Sequence, residues 1–203
     1  MAALALPASS DQVDALLGYL SLLQRWNGTY NLTSVRDPRQ MLTQHLADCL
    51  AVVAPLKREL PSRAAQILDV GSGGGLPGAV LAVMCPEIRV TCVDAVGKKA
   101  AFIQQVGVEL RLPTLKAVHS RVEQLPDGSF DAITSRAFAS LADFVAATSR
   151  QLAAGGVWMA MKGRSPADEI AALPADVRVF HVEPLAVPGL DAERCLVWMR
   201  RVG

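Results

Sequence analysis

The first sixty residues carry apolar side chains at the spacing of amphipathic helices. Apolar positions recur every three or four residues and predict a first helix that begins at a capping box of Ser9 and Gln12 and continues to Trp26. A polar stretch follows, and then Asp37 as N-cap and Pro38 as first helical residue predict a second helix. The residues expected on its buried face are Leu42, His45, Leu46, Cys49, Leu50 and Val53.

Beyond residue 61, short apolar runs alternate with helical patterns. The predicted strands are 65–70, 87–94, 114–120, 130–136, 156–162, 177–183 and 194–200. The predicted helices are 77–85, 97–111, 140–153 and 166–173. This alternation is typical of an α/β fold with a seven-stranded, mostly parallel, Rossmann-like sheet covered on both faces. Only a link with Pro188 and Gly189 separates the last two strands, which predicts an antiparallel hairpin. We therefore expect an N-terminal helical extension at 1–60 and one compact domain at 61–203.

The net charge and the length of the apolar runs argue against a protein that coats nucleic acid and against a membrane protein. The formal net charge is only +1 over 203 residues, so a partner such as RNA would need basic side chains that gather locally. No apolar run approaches the roughly 20 residues that cross a bilayer, and the first residues lack the basic start of a signal peptide. We expect a cytoplasmic protein with no membrane partner.

The four cysteines are Cys49, Cys85, Cys92 and Cys195, and no two of them form a C-x-x-C pair. Their apolar surroundings predict buried thiols in a reducing compartment. His45 and Cys49 are four residues apart on a predicted helix and could share a metal ion. Because no second ligand pair has zinc spacing, packing in the core is favoured and no metal is expected.

The stretch DVGSGGGLPG at 69–78 follows the first predicted strand. Glycines allow a backbone to turn sharply and to approach a ligand closely. In open α/β sheets the ligand lies beyond the carboxyl ends of the strands, next to the first strand-to-helix turn. Pro77 opens the following helix, whose free amides would face that ligand. The pattern therefore favours a nucleotide-like ligand over a turn that binds nothing.

Two acidic residues help to distinguish the possible ligands. Asp94 ends the second predicted strand, where a carboxylate can accept hydrogen bonds from a ribose diol, as it also does in NAD enzymes. Asp69 precedes the glycines, where the ammonium group of a methyl donor needs a carboxylate, and no separate substrate domain is evident. With Gly71, Gly73 and Gly75, this order resembles class I S-adenosylmethionine (AdoMet)-dependent methyltransferases.

A more specific resemblance rests on six stretches. They are WNGTYNLTSVRDP (26–38), HLADC (45–49), DVGSGGGLPG (69–78), SRVEQLP (120–126), FDAITSRAFASL (130–141) and MKG (161–163). In order and spacing they resemble the small-subunit ribosomal RNA methyltransferase G family, also called glucose-inhibited division protein B. The chain departs from the family pattern at Cys49, where serine is more common, and at Gly74, where proline is common.

The resemblance implies methyl transfer from S-adenosyl-L-methionine to guanine N7 in the 530 loop of bacterial 16S rRNA, within the 30S subunit or an assembly intermediate. The cofactor-binding residues that follow from the loop, the class and the family are Asp69, Gly71, Gly73, Leu76, Asp94, Val122, Glu123 and Arg136. The positions expected near the RNA are His45, Lys98, Arg121, Lys162 and Arg194. We expect a monomer, because no exposed apolar stripe remains once the helices are paired.

Methylation at guanine N7 needs few catalytic groups. N7 carries a lone pair and no proton, so the reaction requires positioning, and we expect no general base. The fourth strand ends in Thr134, Ser135, Arg136 and Ala137 instead of the Asn/Asp-Pro-Pro-Tyr/Phe tetrapeptide of many exocyclic-amine methylases. Donation to N7 would occupy the reacting lone pair, so Arg136 is assigned to guanine O6, a phosphate or the cofactor.

Other functions stay open at this point. A small-molecule methyltransferase of the same fold would suit the near-neutral charge. A regulator that binds AdoMet without transferring methyl would suit the older family name. An NAD dehydrogenase ranks below both.

Overall fold

Within residues 1, 4–60, 64–136 and 138–202, which the computed structural model describes, seven strands form one sheet. The strands are β1 (Gln66–Val70), β2 (Arg89–Asp94), β3 (Leu115–His119), β4 (Phe130–Ser135), β5 (Leu152–Lys162), β6 (Val177–Pro184) and β7 (Cys195–Arg201). Their order is β3-β2-β1-β4-β5-β7-β6. β7 is antiparallel to both β5 and β6, and the other pairs are parallel. The predicted sheet and its closing hairpin are confirmed.

Helices cover both faces of this sheet. The α-helices are α1 (Ser10–Tyr30), α2 (Pro38–Met41), α3 (Asp48–Leu50), α4 (Val53–Glu59), α5 (Gly78–Met84), α6 (Gly97–Glu109), α7 (Leu141–Thr148) and α8 (Ala167–Ala171). Side chains of a strand alternate between faces, so Ile67 packs toward α1, α5 and α6, whereas Leu68 packs toward α7. Each face therefore has its own apolar core.

The segment predicted as a second helix is helical, but its hydrogen-bonding pattern changes along its length. A π-helical turn at Leu42–Ala47 separates α2 from α3. A π-helical turn bonds each amide to the fifth residue back, which rotates the residues before it relative to those after it. Leu42 is consequently 47% exposed, so its predicted place on the buried face is wrong, while His45, Leu46, Cys49, Leu50 and Val53 are buried.

The helix predicted at 140–153 is too long. α7 ends at Thr148, and Leu152 already belongs to β5, where it pairs with Phe130. The carbonyl groups of the two residues before Leu152 also accept hydrogen bonds from the start of β4 and the turn before it. The Gly128 amide donates to the Arg150 carbonyl, and the Phe130 amide donates to the Gln151 carbonyl. Pairing between strands thus overrides the helical pattern of the local sequence.

The N-terminal helices share a core with the sheet. The Tyr19 hydroxyl donates to the Gly74 carbonyl over 2.6 Å, and the Gln12 side-chain amide donates to the Val83 carbonyl over 2.9 Å. These bonds attach α1 to the glycine-rich loop and to α5. The boundary expected between residues 60 and 61 borders residues 61–63, which lie outside the described residues, so the division into two units stays a prediction.

The four cysteines are free and buried, which confirms that they are buried thiols. In the part of the chain that the structure describes, no helix combines the length and the apolar character that a membrane span needs.

The packing around Gly78 generates a stability prediction. A Cβ there would lie 2.8 Å from Asp69 Oδ2 and nearer still to Cys92 Sγ, both buried. We expect Gly78→Ala to lower the free energy of unfolding by about 1–3 kcal/mol, because the core is overpacked. Gly28→Ala is the matched control: nothing lies within 4 Å of its Cβ, so this change in α1 should be neutral or stabilising. Urea unfolding of both variants tests this, and equal effects would contradict it.

Candidate active site

A cleft lies over the carboxyl ends of β1, β2 and β4, where the glycine-rich loop was predicted to hold a ligand. It consists of two cavities of about 210 and 400 Å³ that share Val70, Gly71 and Phe138. We call it the cofactor cleft. The other residues that line it are Val93, Asp94, Ala95, Ser120, Arg121, Val122, Glu123, Ser135, Ala139 and Asp143. Four of the predicted cofactor residues therefore meet here: Gly71, Asp94, Val122 and Glu123.

Gly71 shapes the floor of the cofactor cleft. Its φ of +65° lies in the left-handed region, and its amide donates to the Val93 carbonyl over 2.9 Å. A Cβ built at this position would meet no atom within 4 Å. The backbone of the loop thus borders open space that a ligand can approach closely.

Asp94 is held rigidly at the rim of the cofactor cleft. One carboxylate oxygen accepts from the Gly73 amide at 3.0 Å, the other accepts from the Val96 amide at 2.8 Å, and Lys99 Nζ lies 3.8 Å away. Each carboxylate oxygen can accept a second hydrogen bond. Asp94 is therefore oriented by the protein and still able to accept from ribose hydroxyls, and Gly73 contributes by holding it.

Asp69 and Leu76 lie behind the loop and do not line the cofactor cleft. Asp69 is fully buried, and its Oδ2 accepts from the Gly78 amide at 2.9 Å at the start of α5. Its Oδ1 has no hydrogen-bond partner within the described residues. Leu76 is 4% exposed and packs in the core. Their predicted contacts with the cofactor stay predictions.

A second cavity of about 400 Å³ lies beside the cofactor cleft, and we call it the basic cavity. Ser135 lines the cleft, and the next residue, Arg136, lines the basic cavity. The residues lining the basic cavity are Gln44, His45, Asp48, Arg136, Met161, Lys162, Gly163 and Arg194. Four predicted site residues from distant parts of the sequence thus meet here: His45, Arg136, Lys162 and Arg194.

Asp48 and Gln44 complete this cavity and were missed in the sequence. Asp48 Oδ1 accepts from Arg194 Nε at 2.9 Å, and its Oδ2 lies 3.5 Å from an Arg136 nitrogen. The same Arg136 nitrogen donates to the Gln44 carbonyl at 3.0 Å. The position of Asp48 in HLADC, three residues after His45, was the available signal.

Lys162 is paired on the far side of the basic cavity. Its Nζ donates to Glu169 of α8 at 2.7 Å and to the Phe138 carbonyl at 3.3 Å. The pairing balances its charge and fixes the direction of its side chain.

His45 contributes no positive charge to the basic cavity. Burial lowers its pKa, and the nearby Arg136 guanidinium lowers it further, so the ring is neutral at pH 7. An Arg136 nitrogen lies 3.4 Å from Nδ1 and can only donate, so the proton is assigned to Nε2, 2.8 Å from the Thr33 hydroxyl. His45 therefore links Arg136 to the loop that precedes α2.

The two other predicted RNA residues lie apart from the basic cavity. Arg121 is exposed at the rim of the cofactor cleft. Lys98 is exposed on the first turn of α6 and lines neither cavity. No group of three His, Cys, Asp or Glu residues that could hold a metal ion occurs in the described parts of the chain.

The strand order, the glycine-rich loop and the oriented Asp94 define a class I AdoMet-dependent methyltransferase. Solved structures agree on the fold. TrmN from Thermus thermophilus covers 79% of this chain and 53% of its own length, with a TM-score of 0.60 and 17% identity. A SAM-dependent methyltransferase from Aquifex aeolicus covers 82% of this chain and 99% of its own, with a TM-score of 0.59 and 17% identity. The methyl donor is S-adenosyl-L-methionine, which the open floor at Gly71 and the free acceptor capacity of Asp94 suit.

The particular family follows from the sequence comparisons. A profile of the GidB family, rRNA small subunit methyltransferase G, matches residues 12–197, and the chain belongs to this family. Ribosomal RNA small subunit methyltransferase G of Leptothrix cholodnii is 65% identical over 198 residues, covering 98% of this chain and 91% of the relative. The protein of the same name from Methylibium petroleiphilum is 63% identical over 201 residues, covering 99% and 91%.

The buried Asp69 carboxyl generates a pH prediction. Burial raises its pKa from 3.8 to about 6, although the Gly78 amide opposes the shift. The unfolded chain therefore loses this proton at lower pH than the folded chain, so this carboxyl lowers stability as the pH rises from about 4 to about 6. We expect Asp69→Asn to remove the effect, so that its unfolding free energy relative to wild type increases by up to about 3 kcal/mol between pH 4 and pH 7. Urea unfolding across this range measures it, and a difference that does not vary with pH would contradict it.

Proposed function

We propose that this chain transfers a methyl group from AdoMet to N7 of a guanine in the 530 loop of 16S rRNA. Family membership supports an rRNA substrate, and the pairing of two cavities supports transfer to a base. The observation that carries the proposal is the position of both cavities at the end of β4, where Ser135 lines one and the next residue, Arg136, lines the other. A donor in the cofactor cleft and a base in the basic cavity would then approach each other at this strand end.

AdoMet supplies an electrophilic methyl group on a sulfonium ion. The residues of the cofactor cleft bind and orient that donor: Asp94 would accept from the ribose hydroxyls, the Gly71 backbone would approach it, and Val122 offers an apolar wall. Because guanine N7 has no proton to lose, no general base is needed. The contribution of the protein is alignment of the two reactants.

The charges around the basic cavity suit a purine that becomes cationic. Methylation moves positive charge from the donor to the base, and uncompensated cations beside the base would oppose this. Asp48 offsets part of the charge of Arg136 and Arg194, Glu169 offsets Lys162, and His45 is neutral. The wall retains a small positive charge, and the N–H groups of Arg136 and Arg194 can donate to guanine O6 or to a phosphate while leaving N7 free.

The charge of the whole chain favours a structured substrate. With 20 Lys and Arg against 19 Asp and Glu, the protein has little attraction for naked RNA. We infer that the 30S subunit or an assembly intermediate presents the loop, and that the enzyme acts as a cytoplasmic monomer. RNA bases in such loops can be splayed out and read at their edges.

The direct test is transfer of tritiated methyl from AdoMet to 30S subunits and to 16S rRNA, both from a strain that lacks the enzyme. Nuclease digestion and nucleoside analysis should place the label in 7-methylguanosine at one site in the 530 loop, with faster transfer to the particle. Label in another nucleoside would contradict the N7 assignment. Absence of label from both substrates, with AdoMet binding intact, would favour a small-molecule methyltransferase.

The cofactor assignment has its own test in Asp94→Ala. Loss of the carboxylate removes acceptors for the ribose and releases the Gly73 amide, so we expect the dissociation constant for AdoMet to rise about 10- to 100-fold. Asp131→Ala is the matched control, since Asp131 also accepts from a backbone amide, that of Gln66, but lies at the start of β4 and lines neither cavity. Calorimetric titration measures both. An equal effect of the two variants would contradict the role of Asp94.

A further inference from the structure

Asp48 joins two arginines that the sheet alone keeps apart. Arg136 follows β4 and Arg194 precedes β7, and β5 lies between these strands, so the arginines come from strands roughly 10 Å apart. The Asp48 carboxylate reaches both, with one oxygen 2.9 Å from Arg194 Nε and the other 3.5 Å from an Arg136 nitrogen. The N-terminal segment thus supplies a carboxylate that pairs with both arginines at this end of the sheet.

Asp48 is much less exposed than the two arginines with which it pairs. The Asp48 side chain is only 4% exposed, whereas the side chains of Arg136 and Arg194 are each 26% exposed. Both arginines therefore present part of their surface to the basic cavity, whereas Asp48, which also lines it, is almost fully covered. In this arrangement the carboxylate orients the guanidinium donors and does not itself need to contact the substrate.

Stability alone does not account for a carboxylate here. A buried ion pair is weak evidence for stability, because desolvation of the charges often cancels their attraction. Asp48 also sits directly after the π-helical turn, a feature frequent at functional sites. A role in the site accounts for a buried charge at this position.

We infer that Asp48 is a positioning residue for RNA, an inference that rests on the proposed function. It holds the Arg136 and Arg194 guanidinium groups in the directions that receive the target nucleotide. It also limits the positive charge that faces a base on its way to becoming cationic. Without it, the two guanidinium groups would repel each other and rotate away from the substrate.

A double-mutant cycle tests this inference. Asp48→Asn preserves the shape of the side chain and removes its charge, and we expect kcat/KM for the RNA substrate to fall about 100-fold, as misplacement of substrate-positioning groups does. Arg194→Met removes one of the groups through which Asp48 acts. We expect the loss in the double variant to be clearly smaller than the product of the two single losses, because Asp48 acts in part through Arg194 and still contacts Arg136 when Arg194 is changed. Losses that multiply would overturn the inference.

Controls separate positioning from folding. Asp127→Asn breaks an exposed ion pair of similar length, 3.1 Å to Arg150, and should leave kcat/KM unchanged. Thermal unfolding of each variant shows how much folded protein was assayed, and a loss of activity that only follows the loss of folded protein overturns the inference. Should Asp48→Asn fail to fold, the cycle between Arg136→Lys and Arg194→Lys leaves Asp48 in place. If Asp48 holds both arginines, the losses of kcat/KM in the two single variants should not multiply in the double variant. Losses that multiply would overturn the inference.

Failure of this inference is distinguishable from failure of the proposed function. The nucleoside that the wild-type enzyme labels identifies the reaction. The cycle measures coupling between Asp48 and Arg194 on whichever RNA the wild-type enzyme methylates.

Discussion

The hydrogen bond from the Tyr19 hydroxyl to the Gly74 carbonyl is the contact on which the site depends most. It is buried, it is 2.6 Å long, and it connects α1 to the loop that forms the floor of the cofactor cleft. Burial raises the pKa of Tyr19 well above its usual range, so the hydroxyl remains a donor throughout the physiological pH range. Because only the loop at 31–37 separates α1 from the helical segment with His45 and Asp48, this contact helps to place the basic cavity relative to the cofactor cleft.

A second principle of the site is that its charges are compensated before substrate arrives. Asp48 lies against two arginines and Glu169 against Lys162. Such pairs fix side-chain directions in advance, which reduces the reorganisation that binding and transfer require. Because acidic side chains pair with these basic groups, a cavity rich in basic residues occurs in a chain whose formal net charge is only +1.

Much of this architecture could be predicted from the sequence. Periodicity located all seven strands and the closing hairpin, because buried parallel strands read as short apolar runs between helical patterns. It failed where tertiary contacts decide: the 140–153 helix gives way to β5, and the π-helical turn exposes Leu42. The positions of Gly71 and Asp94 beside the cofactor cleft could be predicted, because both residues lie at strand ends on the carboxyl edge of the sheet. Asp48 was missed since its partners are 88 and 146 residues away, and the contact of Asp69 with Gly78 depends on how α5 begins.

Methylation of guanine N7 in the small-subunit rRNA, as proposed above, is tested most directly by one measurement in cells. 7-Methylguanosine becomes susceptible to strand scission after borohydride reduction and aniline treatment, so primer extension on 16S rRNA can map it. A strain that lacks the native enzyme should show no scission in the 530 loop, and expression of this chain should restore scission at a single guanine. Unchanged rRNA in a strain that produces the folded protein would contradict the account.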